Sequence, residues 1–294
     1  MNSISDEKPD SPSDADNVSE WKDFGKFLLK LAAFMFILRS FIISPFNIPS
    51  ESMQPRLLIG DYLLVTKWNY GYTKYSFPFS LPLVPGRIFA SEPERGDVVV
   101  FKAPPKARDD YIKRVIGLPG DQIEMRSGVL IINGEPVKKK RLEDLVIPVT
   151  QNMIDAVAEK KRLNSLSAEH VCAEPRFEEE ARDGGSQCRY PRYLETLPNG
   201  RSYEILDIMN NHPGDNTGAF LLAEGEIFLM GDNRDRSSDS RFPAEDGGAI
   251  GIVPQENLVG RAWVTVFSTD GSANWLLPWT WFSAARGSRI GDGF

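Results

Sequence analysis

The groups with which this 294-residue chain could do chemistry are two histidines, two cysteines and a scatter of serines, lysines and acids. A Ser-His-Asp triad needs a histidine to take the serine proton. His170 lies in a polar stretch and His212 in the loop-like sequence NNHPGDN, and no Gly-x-Ser-x-Gly elbow is present. Both histidines read as ordinary solvated side chains. The acid-rich segment Gly231–Arg241 (GDNRDRSSDSR) has the look of a cation loop but fails as an EF-hand. Counted from Asp235, the sixth residue is Ser240 where Gly is required, and the twelfth is Asp246 where Glu is required. Arg234, Arg236 and Arg241 sit in the same loop, so ion pairs and turn hydrogen bonds explain it better than a metal does. The remaining candidate base is a lysine, whose amine falls from a pKa of about 10.4 toward neutrality when buried. Lys113 lies in DYIKRVI. In a strand, Tyr111, Lys113 and Val115 share one face, and Ile112, Arg114 and Ile116 the other. That gives Lys113 an apolar neighbourhood, although from pattern alone a packed stem with its amine in water is the simpler outcome.

Stepping outward from these residues, Phe24–Ile43 (FGKFLLKLAAFMFILRSFII) reads as an N-terminal transmembrane helix. Twenty helical residues span about 30 Å, the thickness of a bilayer core. Lys26, Lys30 and Arg39 lie toward its ends, where they can snorkel, and Pro45 is expected to stop it. A cleaved signal peptide and a helix lying in the interface are the competing readings; no Ala-x-Ala-like site follows the apolar run. Lys22, Lys26 and Lys30 precede the span, which favours a cytoplasmic N-terminus and places the rest of the chain on the far side. The net charge of −7 argues against nucleic acid as the main partner. Six acids against Lys8 alone in residues 1–20 account for −5 of it, and this Ser-, Pro- and Asp-rich head reads as a disordered tail.

Beyond Pro45 the texture is β-rich. Asp61–Thr66, Asp97–Lys102, Tyr111–Ile116, Gly128–Ile132, Ile227–Met230 and Ala262–Phe267 read as strands. Leu118–Asp121 (LPGD) suits a type II turn, and Asn133–Gly134 a hairpin. The fold class is therefore mostly β: an antiparallel catalytic core with a polar insertion or second small domain, behind one transmembrane helix. The expected divisions are a tail (1–20), an anchor (21–44), the first part of the core (45–125), a β-rich second part (126–226) with the insertion around 151–190, the return of the core (227–270) and an aromatic C-terminal segment (271–294). In the insertion Met153, Ile154, Val157 and Leu163 are the apolar positions of a partly helical pattern. If this part lies outside the membrane, Cys172 and Cys188 are expected to form a disulfide; in cytoplasm they would stay reduced. Aromatics crowd Trp68–Phe79 and Trp275–Phe282, either as packing or as a belt resting on the bilayer surface.

Four segments, in order, resemble the bacterial type I signal peptidases, or leader peptidases. FNIPSESMQP (46–55) followed by LLIGD resembles their nucleophile segment, RGDVVVF (95–101) the next strand, YIKRVIGLPGD (111–121) the lysine segment, and Gly231–Arg241 the C-terminal signature. The resemblance covers roughly 24–267, outside the insertion. It implies Ser52 as nucleophile and Lys113 as general base, with Ser50 and the Ser52 N–H forming an oxyanion hole. It further implies that Ser237 orients the Lys113 amine, that Asp239 and Arg241 pair to support the loop, and that Gly231 permits close backbone approach. Ile48, Leu57, Val100, Tyr111 and Ile112 would line shallow apolar pockets selecting small residues such as Ala. Glu51 departs from the family pattern, where Gly is usual between the two serines. The function so implied is removal of N-terminal signal peptides from exported preproteins, without metal or cofactor. The enzyme would be a single-pass protein of the bacterial inner (plasma) membrane, its catalytic domain outside, with the lipid bilayer and the export translocon as its surroundings. The alternatives are a self-cleaving, repressor-like Ser/Lys protein, which would be soluble and carry a DNA-binding head, and a catalytically silent, membrane-anchored binding module of the same fold.

Overall fold

The computed structural model describes residues 14–163, 170–182, 184–274 and 276–294. A helix, α1 (Asp14–Ile37), runs on through a wider π-helical turn, Leu38–Ile42, and gives way to strand β1 (Ile43–Asn47). Pro45 thus lies inside β1, and the helix has already ended at Ile42. It begins inside the segment expected to be a tail; the rest of that tail, residues 1–13, lies outside the described residues. No helix among the described residues is long and apolar enough to cross a membrane. The reason is charge: Lys22, Asp23, Lys26 and Lys30 all fall within α1, leaving an uncharged run only from Leu31 to Leu38, about 12 Å of helix.

The core is a seven-stranded sheet in which every pairing is antiparallel. Its order is β1, β2 (Asp61–Thr66), the long last strand Leu258–Ser268, β3 (Val98–Lys102), β4 (Asp110–Gly117), Glu226–Met230 and the short Val253–Pro254. Every strand expected from the β-branched runs is present with small shifts of its ends. The LPGD turn closes with Asp121 N donating to Leu118 O at 3.0 Å, and Gly120 takes the positive φ of 85° that a type II turn requires. Asn133 and Gly134, both at positive φ, turn Val129–Ile132 back onto Glu135–Pro136.

A satellite of small sheets follows β4. Its core is built on Ile123, Leu130, Ile132 and Ile205, and it shares Ile116 and Phe228 with the main sheet. The polar insertion holds, among its described residues, helix α2 (Gln151–Leu163) and a three-stranded sheet of Leu145–Pro148, Ser186–Tyr190 and Glu178–Glu180. Of its expected apolar positions, Met153 is buried in the insertion's core, Ile154 is exposed, and the Leu163 side chain lies outside the described residues. Cys172 and Cys188 are joined as a disulfide across this unit, with Cα atoms 5.6 Å apart. Of the two aromatic segments, the first packs in part: Tyr70 and Phe77 are buried, while Trp68 and Phe79 are exposed. The second remains out, with Trp279, Trp281 and Phe282 exposed; Trp275 lies outside the described residues.

Replacing both Cys172 and Cys188 with Ser should cost at most about 3 kcal/mol, the loop-closure entropy of so short a link. The check is a lower urea midpoint than the oxidised wild type; equal midpoints would show that the link adds no stability.

Candidate active site

The loop between β1 and β2 carries Ser50 and Ser52. It is pinned at its neck, where Ile48 N donates to Asp61 O (2.8 Å) and Gly60 N to Ile48 O (2.9 Å). Met53 and Leu57, both fully buried, anchor it from beneath. Leu57 therefore belongs to the core under the loop and does not line the cleft, contrary to expectation. Its side chain points inward because Leu57 N donates to Met53 O, making a helical turn that stacks the two residues on one face.

Lys113 comes from β4. Its register against β3 sets Val99 opposite Lys113 and Val100 opposite Ile112. The alternation expected for this strand holds at Lys113, but both faces are buried from Lys113 onward, because the satellite core around Ile123, Leu130 and Ile205 covers the face that carries Ile116. Lys113 Nζ lies 2.9 Å from Ser52 Oγ and 3.1 Å from Ile112 O. Burial lowers the Lys113 pKa to about 8. Asp239 and Asp232 pull it upward, and Arg241 pushes it down. The amine is thus readily freed of its proton at mildly alkaline pH.

The signature loop follows Met230 directly, and Met230 pairs with Arg114, next to Lys113. This adjacency brings 231–241 onto the serine segment. Asn233 N donates to Ser52 O (3.1 Å) and Asn233 Nδ2 to Glu51 O (3.3 Å). Gly231 has no room for a side chain: a Cβ there would meet Ser237 Oγ at 2.3 Å and Ser52 O at 2.5 Å. Asp239 accepts from Gly231 N (3.0 Å) and forms a fully buried pair with Arg241 (2.8 Å). Burial opposes ionisation of Asp239, but Arg241, the Gly231 N–H and Lys113 together outweigh it and hold the carboxyl below its usual range.

Two expected contacts take a different form. Ser237 Oγ is buried in this cluster without a hydrogen-bond partner among the described residues, and it does not hold the Lys113 amine; the amine is spent on Ser52 and Ile112 O. Ser50 Oγ faces Ser52 Oγ at 3.4 Å. Ile48, Val100, Tyr111 and Ile112 do line a cleft of about 400 Å³ that opens onto Ser50, Ser52 and Lys113. Neither histidine lines it.

Several participants carried no local signal. Arg114 makes a buried two-pronged pair with Asp232 (2.7 and 2.6 Å), and Arg234 is buried against Glu195 and Tyr203. Glu51 pairs with Arg236 at 2.8 Å. Acid-base alternation in 231–241 announces ion pairs, but the partners Arg114 and Glu195 are too far away in sequence to be named from it. One group among the described residues has donor atoms close enough together for a cation: His212, Asp215 and Asp235, within 4.8 Å of one another. His212 Nδ1 already accepts the Gly214 N–H, and one Asp235 oxygen accepts those of Ile208 and Met209, so the group braces turns behind the signature loop.

Residues 21–267 match the family model described as Signal peptidase, peptidase S26. The chain belongs to this family. It is thereby a serine endopeptidase. A signal peptidase I of Rickettsia typhi is 35% identical over 271 residues, covering 86% of each chain, and one of Rickettsia canadensis is 35% identical over 288 residues, covering 92% of this chain and 91% of the other. A crystal structure of a signal peptidase I from Enterococcus faecalis V583 is 24% identical and covers 58% of this chain and 97% of its own, with a TM-score of 0.27, too loose a superposition to bear on the fold.

Replacing Arg241 with Met leaves the Asp239 carboxylate buried and unpaired. It should cost about 3–5 kcal/mol, read as a fall in denaturant midpoint; a loss under 1 kcal/mol would mean that the pair does not hold the loop.

Proposed function

We propose that this chain removes N-terminal signal peptides from exported preproteins, with Ser52 as the nucleophile and Lys113 as the general base. The observation that carries this reading is the 2.9 Å contact between Lys113 Nζ and Ser52 Oγ, made by a lysine whose pKa burial lowers to about 8. Neutral Lys113 takes the Ser52 proton as Oγ attacks the scissile carbonyl. The Ser52 N–H and, after rotation away from Ser52 Oγ, the Ser50 hydroxyl receive the developing oxyanion. Lys113 then gives its proton to the leaving amine, and water activated by the same amine releases the acyl group. Asp239 and Arg241 support the loop that covers the lysine.

The substrate strand has a place to dock. Asp110–Lys113 pairs with β3 on one side, but Glu226–Met230 pairs with β4 only at Arg114, Val115 and Gly117. The outer edge of Asp110–Lys113 is thus open to the cleft and can accept an extended peptide by strand addition. The shallow apolar lining from Ile48, Val100, Tyr111 and Ile112 suits small side chains, an Ala-x-Ala pattern before the cut.

Membrane anchoring belongs to the same reading. Phe24, Phe27, Leu29, Phe34, Met35 and Ile37 are all exposed around α1, an apolar surface that water does not favour. Together with the turn to Ile42 the helix from Phe24 is about 28 Å long, and its lysines are placed to snorkel. A single pass with the N-terminus cytoplasmic puts the sheet on the outer face of the inner membrane, beside the export translocon. The exposed Trp279, Trp281 and Phe282 would rest on the lipid.

With a detergent-solubilised precursor, wild type should cut, and Ser52→Ala and Lys113→Ala, both folded, should not. Because only the neutral amine accepts a proton, kcat/KM should rise tenfold per pH unit on the acid side and level off above about pH 8. Cleavage surviving in Lys113→Ala, or a rate independent of pH between 6 and 9, would remove the lysine from the mechanism. A chain lacking residues 1–43 should still bind anionic vesicles, and Trp279→Ser with Phe282→Ser should weaken that binding about tenfold or more; equal binding by both would assign these aromatics to something other than lipid.

A further inference from the structure

The junction between α1 and the sheet holds a second cavity, one that the cleavage chemistry does not use. It measures about 120 Å³ and is lined by Arg39, from the π-helical turn that follows α1. Lys67, just beyond β2, and Lys102, the last residue of β3, line it as well. The segment 75–80 supplies much of the remaining wall. Phe77 fastens that segment to the end of the helix: its ring stacks on Phe36 at 6.5 Å and meets Phe41 edge-on at 5.4 Å. Phe79 belongs to the same wall, and it is 98% exposed.

The cavity is short of negative charge. Among the described residues Asp110 is the one acid in its lining, and Lys102 already pairs with it at 3.1 Å. The Lys67 amine has three N–H groups to place. Lys67 is buried, and its amine donates to Ser76 O at a long 3.4 Å. Burial lowers the Lys67 pKa to about 8; Asp110 opposes the shift, and the like charges of Arg39 and Lys102 add to it. A buried ammonium so thinly matched is costly. An oxyanion in the cavity supplies the missing acceptors through charge-assisted hydrogen bonds.

The surroundings point to what carries that oxyanion. Arg39 stands at the end of the helix read as the membrane anchor, and the open Phe79 ring offers apolar surface at the mouth. Resting on the anchored reading, we infer that Arg39, Lys67 and Lys102 form a headgroup pocket for an anionic phospholipid. Its phosphodiester lies among the three cations, and its acyl chains run past Phe79 toward α1. A headgroup with its own ammonium suits the pocket less, since it brings a further positive charge. Phe46 and Asp110 line both this pocket and the cleft, so a bound headgroup sets the height of the cleft above the bilayer.

The test counts lipid retained by the full-length protein in a non-ionic detergent, by native mass spectrometry, as phosphatidylglycerol or phosphatidylcholine is added in steps. Wild type should take up one phosphatidylglycerol at a concentration about fivefold or more below that needed for phosphatidylcholine. Arg39→Gln should erase that difference, and Arg39→Lys should keep most of it. Lys67→Met should act as Arg39→Gln does; Arg39, being exposed, keeps the test decisive if the buried substitution prevents folding. Equal uptake of the two lipids by wild type, or a preference untouched in Arg39→Gln, overturns the pocket. Inorganic phosphate or glycerophosphoglycerol that displaces the lipid at equal concentration makes this a site for a soluble anion and overturns the lipid assignment. Flotation of wild type with phosphatidylglycerol vesicles separates the two readings. A chain that does not float overturns the anchor and the pocket together, and one that floats without the lipid preference overturns the pocket alone.

Discussion

A lysine amine buried among carboxylates feels two opposed pulls on its proton, and the site is arranged around that balance. Water is withheld from Lys113 by burial, which disfavours its charged form, yet Asp239 and Asp232 stand close enough to favour it. Each of those acids has its own arginine: Arg241 on Asp239, Arg114 on Asp232. Without these partners two bare carboxylates would hold the proton on the amine. Taking four charges out of water is costly, and the cost is offset only where geometry permits direct, multiple hydrogen bonds. The pairs therefore occur at the centre of the sheet, on β4 and immediately beyond its neighbour Glu226–Met230, where backbone positions are fixed by strand pairing.

The same pairing explains how residues nearly 200 positions apart come to touch. The loop after Met230 starts beside Arg114 and leaves the sheet across the serine loop. Gly231 is what lets it pass, since any Cβ there would collide with Ser237 and with the Ser52 carbonyl. Asn233 then fastens the two loops, donating to the carbonyls of both Glu51 and Ser52. On its other side the serine loop is held through Asp61. Asp61 accepts from Leu58 N, from Ser268 on the last strand and from Arg289 near the C-terminus, while Arg286 reaches Ile59 O. The C-terminal residues thus act as a clamp on the loop that carries Ser52.

What the amino-acid sequence determined by itself was local. Runs rich in Val and Ile, with Leu and aromatics, specified the strands, because such side chains pack well on a pleated, half-buried surface. LPGD and Asn-Gly specified their turns through φ alone. Ser52, Lys113, Asp239 and Arg241 stood out because their segments resemble a known family as short contiguous strings. What the tertiary structure decided was anything that depended on which segments meet. Leu57 is core, because a helical turn rotates it under the loop. Ser237 is buried without a partner, because its neighbours are already engaged. Arg114, Asp232, Glu195 and the pair of Glu51 with Arg236 were illegible, since an ion pair between distant segments leaves no mark on either one. The apolar helix at the start was plain in the sequence, but Lys30 and Arg39 limit its uncharged run to Leu31–Leu38. Sequence fixes a residue's chemistry and its local backbone preference; its neighbours, and hence its ionisation and its role, are set only when the chain closes on itself.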